Sequence, residues 1–364
     1  MTNNKKKILI ATGGTGGHIF PSISIAEFLK SEYKIQIITD QRGVKYLKKN
    51  ENIDIKIIDP GVVLKKNLFQ TLYGFLKLCF SFIYSFFLIL TERPKLIIGM
   101  GGYSTIPICF IGFIFRVPLF IYENNLIIGK ANRFLLPMAK KILVSTENIK
   151  RIGNKYTNKL FFSGFLIRSS ILNLKKNKID YSDKKENPSI LIIGGSQSAK
   201  IFGEVLPNII SRCFKNNLNF KVYQQCLENQ KKQIKTIYEK LNIEFELFSF
   251  SEDMTKYYKF VDLAITRSGA SSLAELINLR IPFVAVPLPS SADNHQFENA
   301  KYFQDKGYCY LLEERFIQDK LFEILTKLNK DENILHLMKQ KMEKHSDKES
   351  FAKIKKLIDE LLNE

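Results

Sequence analysis

Most of the residues able to do chemistry sit in five short segments rich in glycine, serine and amides. The first, Gly13-Gly14-Thr15-Gly16-Gly17-His18, follows the apolar run KILIAT, and a helix is expected to start near Pro21. Glycines let backbone N–H groups approach a phosphate or sugar, and a helix N-terminus adds positive potential. His18 would then point toward whatever the loop holds. A NAD-binding turn is the rival reading, because Asp40 closes the second apolar run at a plausible distance for a ribose. The spacing G-G-T-G-G-H is not G-x-G-x-x-G, however, and no G-K-[ST] is present for a P-loop.

The other four segments repeat the theme. Gly99-Met100-Gly101-Gly102-Tyr103-Ser104 and Tyr122-Glu123-Asn124-Asn125 each end an apolar run in the first half. In the second half, Gly194-Gly195-Ser196-Gln197-Ser198 offers N–H donors and hydroxyls suited to a phosphate. Arg267-Ser268-Gly269-Ala270-Ser271-Ser272-Leu273-Ala274-Glu275 runs from a strand end into a helix, where Glu275 can accept hydrogen bonds from ribose hydroxyls. Ordinary turn and capping chemistry explains any one of these. Five at matching strand ends point to a ligand.

Positioning such loops requires strands that end together. Apolar runs alternate with helical stretches along the chain: KILIAT, KIQIIT, IKII, KLIIGM, PLFIY and KILVS, then SILIIG, FKVYQQ, EFELF, DLAIT and PFVAVP. Their near-continuous apolar character fits parallel strands covered on both faces. At 364 residues the chain is long enough for two domains. The polar, lysine-rich stretch 173–188 lies near the expected junction. Two Rossmann-like lobes are therefore expected, with ligand at the carboxyl ends of their strands, in a cleft.

Composition limits the partners. The hydrophobic share of 45% and charged share of 25% exclude a disordered or collagen-like chain. Five scattered cysteines with no C-x-x-C pair argue against a disulfide framework and for a reducing, intracellular compartment. The N-terminal run ends in glycines and reads as a buried strand, not a signal peptide. The net charge of +19 is uneven, with +15 in residues 1–165 and +4 in the remainder. A lobe this basic is drawn to polyanions. Nucleic acid is not expected, since no base-reading helix or aromatic RNA motif is present.

Residues 68–90, LFQTLYGFLKLCFSFIYSFFLIL, point to an anionic bilayer instead. The segment is apolar around most of a helix, and Gln70, Gly74, Lys77, Ser81 and Ser85 trace one narrow stripe. Three readings apply: a transmembrane helix, a helix buried in the core, and a helix packed on its own lobe with an outer face at the bilayer interface. Lys77 in mid-segment weighs against the first, and the third is favoured. A second apolar stretch, 106–122, would widen the patch.

Taken together, GGTGGHIFPSISIAEFL, GMGGYS, ENN, GGSQ, RSGASSLAEL and Asp293-Asn294-His295-Gln296-Phe297-Glu298-Asn299-Ala300 resemble the MurG family, over nearly the whole chain. These are peripheral membrane transferases that add N-acetylglucosamine to lipid I in peptidoglycan assembly. The resemblance implies an α/β GT-B fold. Its acceptor- and membrane-binding lobe would span 1–166 and be joined by a helix at 346–364, and its donor-binding lobe would span 167–345. It implies inverting transfer from UDP-N-acetylglucosamine to the C4 hydroxyl of the muramic acid residue of the undecaprenyl-linked acceptor, giving lipid II without metal or other cofactor. It places the chain on the cytoplasmic face of the cell membrane, with cell-wall synthesis and division proteins as candidate partners. The resemblance puts Thr15, Gly16, Gly17 and Asn125 at the donor, Arg168 and Ser196 near the diphosphate, and Ser251 beside uracil. It puts Ala270, Ser271, Ser272, Leu273, Ala274 and Glu275 at phosphate and ribose, and Gln296 at the sugar. His18 is the candidate general base, as a neutral imidazole with an unperturbed pKa of about 6.5 can take a proton at physiological pH.

Departures from the family pattern fall at Tyr122 and Asn124 in the third loop, Ile106, Ser198 and His295. They bear on acceptor contacts more than on reaction class. Two other functions share the motifs: an acceptor-free UDP-N-acetylglucosamine epimerase, and a non-enzymatic membrane scaffold that keeps the fold. The C-terminal residues Phe351, Ile354, Leu357, Ile358 and Leu361 have helical spacing, suiting either a helix returned to the first lobe or an ordinary surface helix.

Overall fold

In the computed structural model the chain divides into two compact units, 1–168 with 347–364, and 169–346. The structure describes residues 5–14, 16–47, 53–61, 68–174, 188–194, 199–249, 251 and 253–363.

The first unit is built on seven parallel strands: β1 (Lys7–Ala11), β2 (Lys34–Thr39), β3 (Asp54–Ile57), β4 (Leu96–Gly99), β5 (Leu119–Glu123), β6 (Lys141–Val144) and β7 (Leu160–Phe162). Their order is β3-β2-β1-β4-β5-β6-β7. The second unit has β8 (Ser189–Ile193), β9 (Lys221–Gln225), β10 (Phe245–Phe248), β11 (Leu263–Thr266), β12 (Phe283–Ala285) and β13 (Cys309–Leu311), in the order β10-β9-β8-β11-β12-β13. All eleven sequence-expected strands are present. The two unexpected ones, β7 and β13, are three-residue edge strands too short to show a pattern.

Each sheet changes direction once, between β1 and β4 and between β8 and β11, and such switch points are where open sheets bind ligands. Pairing of Ala11 with Gly99 sets the first glycine loop beside the second. Pairing of Thr266 with Ile193 does the same for the loops that follow β11 and β8. The central strands β1 and β4 are buried throughout, as parallel strands covered on both faces must be.

Residues Leu68–Glu92 form one 25-residue helix that packs on the helix Thr105–Ile114, with Phe82 edge-on to Phe110 at 5.7 Å. The reading of this helix as wholly buried in the core does not hold. Eleven of its large apolar side chains are exposed, Phe69 at 82% and Phe80 at 68% among them. The small and polar stripe, from Gly74 through Lys77 to Ser85, turns inward instead, while Gln70 is exposed. Ser81 and Ser85 are buried with their hydroxyls on the Lys77 and Ser81 carbonyls, and Gly74 lies against Gly61. Lys77 Nζ meets Asp59 at 2.8 Å, and that bond lowers the Asp59 pKa from its ordinary carboxylate value. The only charge within the apolar segment is thereby matched inside the unit.

The helix Ser350–Asn363 closes on the first unit and is not a detached surface helix. It buries Phe351, Ile354 and Ile358, and the Phe351 ring stacks on Phe28 at 5.3 Å. Lys355 bridges Glu32 at 2.9 Å and Asp359 at 2.7 Å. Burial, and then the hydrogen bond to Asp359, pushes the Tyr33 phenol up to about 12. Truncating Phe351 to alanine is expected to lower the unfolding free energy by about 3 kcal/mol in urea titration. A loss within error of zero would show that this helix does not stabilise the unit.

Candidate active site

In the first unit, two glycine loops touch through their backbones. Gly13 N–H donates to the Gly101 carbonyl at 3.2 Å, and Gly102 has φ +91° over the Gly13 peptide. A Cβ on Gly102 would lie 2.8 Å from the Gly13 oxygen, so only glycine fits. Ser104 then secures the contact by donating its hydroxyl to the Thr12 carbonyl at 3.2 Å.

The helix after the first loop begins at Gly16, five residues before the expected start at Pro21. His18 therefore sits in a helical first turn rather than in a loop. Its ring packs against Gly101, where a Cβ would come within 2.9 Å of Cε1. Pro21 lies inside the helix and has no N–H to give to the Gly17 carbonyl four residues back. The side-chain amide of Asn124 donates to that carbonyl instead, at 3.0 Å. The proline thus leaves an acceptor to which the third loop is fastened.

That loop is organised by Glu123, which the sequence does not single out. Its carboxylate is 2% exposed and receives four N–H bonds. Oε1 accepts from Asn125 N and Nδ2 at 3.0 and 2.9 Å, and Oε2 accepts from Gly129 N and Asn132 Nδ2 at 2.9 and 3.0 Å. A buried carboxylate needs such a set. The sign available in the sequence was an acidic residue closing an otherwise apolar strand. Asn125 is half-buried and held by this carboxylate and by Asn124 Oδ1.

Asp40, the ribose ligand of the NAD reading, is also occupied structurally. It is buried and accepts from Gly14 N, Arg42 N, Gly43 N and the Arg42 guanidinium. Tyr122 points away from this rim. It is fully buried, its hydroxyl accepts from Leu166 N at 3.0 Å, and burial raises its pKa. The departure from the family pattern at Tyr122 therefore bears on how the chain leaves the first unit. Arg168 lies over the Phe20 ring at 5.2 Å and packs with the first unit, two residues beyond the boundary expected from sequence. Gly16, Gly17, His18, Asn125 and Arg168 are thus linked in one region of this unit. Thr15 lies outside the described residues.

In the second unit, β11 ends at Thr266, Arg267 follows it, and the chain enters the helix Ala270–Asn278 through Gly269. Among the described residues, a Cβ on Gly269 would meet nothing within 4 Å, so there is open space at this helix N-terminus. Ala270, Leu273 and Ala274 are buried, and Ser271 and Ser272 are half-buried in the first turn. Among the described residues, Ser268 has a buried hydroxyl with no hydrogen-bond partner. Arg267 underpins the loop from below, donating to the Val286 and Pro287 carbonyls and pairing with Glu314.

Gln296 is brought to the same loop by two consecutive left-handed residues, Asp293 (φ +52°) and Asn294 (φ +59°). Its side-chain carbonyl accepts from Ser268 N at 3.2 Å and Leu288 N at 3.0 Å. Its amide oxygen is thus committed to backbone, and its NH2 is the group left to donate to a ligand. Glu275 is largely buried on the sixth residue of the helix, with Oε2 accepting the Tyr258 hydroxyl at 2.9 Å. Ser251 donates its hydroxyl to the Asp253 carbonyl at 2.8 Å. Ser196 lies outside the described residues. No three His, Cys, Asp or Glu side chains cluster as metal ligands among the described residues.

Two switch-point sheets, one leading through Gly269 into a helix N-terminus to whose loop the Gln296 amide is fixed, define a GT-B protein of the sugar-nucleotide type. Comparison with known proteins agrees. The glycosyltransferase family 28 N-terminal domain matches residues 8–144, and the family 28 C-terminal domain matches residues 189–358. The chain belongs to glycosyltransferase family 28. It is 37% identical to the UDP-N-acetylglucosamine--N-acetylmuramyl-(pentapeptide) pyrophosphoryl-undecaprenol N-acetylglucosamine transferase of Pelagibacter ubique, over 95% of this chain and 94% of that one. The Rickettsia felis protein of the same name is 36% identical, over 93% and 97%. Among solved structures, Acinetobacter baumannii MurG aligns with TM-score 0.80 and 25% identity, covering 98% of this chain and 99% of its own. The S. aureus MnaA–UDP structure aligns at 0.66 with 15% identity, covering 98% and 97%, which shows the fold alone.

Replacing Gly102 by alanine is expected to destabilise the protein by about 2 kcal/mol, from backbone strain at positive φ, and to reduce turnover with it. Chemical unfolding alongside an activity assay checks this. An unchanged midpoint would mean that the two loops have room to part.

Proposed function

We propose that this chain transfers N-acetylglucosamine, with inversion, from UDP-N-acetylglucosamine to the C4 hydroxyl of undecaprenyl-pyrophosphoryl-N-acetylmuramoyl-pentapeptide, giving lipid II. The observation that carries the reading is the loop after β11. An open helix N-terminus at Gly269, the Glu275 carboxylate and a Gln296 amide fixed by the same loop offer what a diphosphate, a ribose and a sugar each need.

In this reading the second unit holds the donor. First-turn N–H groups of the helix Ala270–Asn278, with Ser271, Ser272 and the unpartnered Ser268 hydroxyl, stabilise charge on the departing UDP. Glu275 takes the ribose hydroxyls, Gln296 donates to the sugar, and Ser251 lies beside the uracil. The family resemblance also assigns Gly16, Gly17 and Asn125 of the first unit to the donor and Arg168 to its diphosphate, along with Thr15 and Ser196, which lie outside the described residues. His18 accepts the proton of the acceptor hydroxyl as that oxygen attacks the anomeric carbon and UDP leaves.

The first unit meets the lipid-linked acceptor at the cytoplasmic face of the membrane. The outward face of the helix Leu68–Glu92, with Phe113 and Ile114 beside it, lies in the bilayer interface, and the basic surplus of this half attracts anionic headgroups.

Purified protein given UDP-N-acetylglucosamine and a lipid I analogue should form the disaccharide with EDTA present. UDP-N-acetylmannosamine from donor alone would mark an epimerase instead, and no product under any lipid condition would overturn the assignment. His18→Ala should keep donor affinity and lower turnover by about 100-fold, in the range of general-base losses; unchanged turnover would remove it as base. The protein should sediment with anionic vesicles, and exchanging Phe69, Phe80 and Phe87 for glutamate should release it. Retention of that variant would place the contact elsewhere.

A further inference from the structure

We propose that Tyr258 is a positioning residue for donor recognition, holding the Glu275 carboxylate in the one orientation that can take a ribose; this rests on the donor reading above. The Tyr258 hydroxyl donates to Glu275 Oε2 at 2.9 Å, and both side chains are buried, Tyr258 to 2% and Glu275 to 8% exposure. A carboxylate engages neighbouring hydroxyls in pairs only when its plane is set, and a charge-assisted bond from a rigid phenol sets it before the ligand arrives. Tyr258 is too deep to touch the ligand itself, so its effect passes through Glu275.

The tyrosine is placed by the segment that also bears Ser251. Asp253 Oδ1 accepts Thr255 N at 2.9 Å, its carbonyl accepts the Ser251 hydroxyl at 2.8 Å, and the turn Thr255–Tyr258 follows, with Tyr258 N–H on the Met254 carbonyl at 3.0 Å. One short stretch therefore fixes both the residue assigned to the base and the donor that orients the ribose carboxylate. A displaced base loop would turn the Glu275 carboxylate with it, which makes recognition of the two halves of a nucleoside interdependent.

The test is Tyr258→Phe, which removes one oxygen and keeps the ring. Steady-state kinetics should show KM for UDP-N-acetylglucosamine raised about tenfold with kcat within about twofold, the size expected for one hydrogen bond to a charged group. The preference for UDP over 2′-deoxy-UDP as inhibitor should fall toward that of Glu275→Ala. In the Glu275→Ala background the same change should add less than about a twofold effect, since no carboxylate remains to orient. If Glu275→Ala abolishes the preference while Tyr258→Phe leaves it intact, the positioning role is wrong and the ribose reading stands. If Glu275→Ala itself keeps the preference, the ribose reading fails. Equal losses from Tyr258→Phe in both backgrounds, with a lowered melting temperature, would reduce the tyrosine to a packing residue.

Discussion

The first unit depends on two stretches of backbone lying against each other with no side chain between them. Gly102 sits on the Gly13 peptide, and Gly13 N–H meets the Gly101 carbonyl. Because β1 and β4 are adjacent parallel strands, their carboxyl ends must coincide, and bulk at either loop would push them apart. The close approach makes the shelf on which the His18 ring rests. It also forces the neighbouring polar groups into fixed partnerships, Ser104 with Thr12 and Asp40 with the Gly14 amide. Rigid backbone of this kind holds the groups packed on it without reorganisation.

The third loop is fastened to this shelf by an omission. A proline inside a helix ordinarily costs a hydrogen bond, and here the unserved Gly17 carbonyl is met by Asn124, whose loop is in turn ordered around the buried Glu123. The second unit uses the same economy of backbone groups. Gln296 spends its oxygen on the Ser268 and Leu288 amides, so its NH2 has a defined direction, and Asn299 holds the Ser268 carbonyl at 3.1 Å. In the first unit, then, Asn125 is steered by the Glu123 and Asn124 side chains, and in the second Gln296 is steered by backbone amides.

The long apolar helix inverts the usual arrangement of a surface helix. Gly74, Ser81 and Ser85 pack inward, Lys77 is matched by Asp59, and eleven large apolar residues face out. Pairing the lysine on the protein side leaves the outer face without a charge, the property that insertion among lipid tails requires. A lysine in mid-segment, which by itself weighs against a membrane-spanning helix, is thus compatible with an apolar outer face.

The sequence by itself determined the two parallel sheets, the loops at their carboxyl ends and the family, because buried parallel strands are written as continuous apolar runs and phosphate-binding turns demand glycine. It gave no sign of β7 or β13, which are too short for periodicity, and it put the helix start at Pro21 rather than Gly16, because glycines read as loop until tertiary contacts supply the missing stability. Only the tertiary structure decided that Asp40 and Glu123 are held by backbone and side-chain N–H donors of their own loops while Glu275 takes a tyrosine hydroxyl. Only there does it emerge that Tyr122 is buried, that Asn124 serves the Gly17 carbonyl and that Tyr258 serves the Glu275 carboxylate. Those roles depend on which donors surround an oxygen, and donors distant in sequence are brought to it only when the chain has folded.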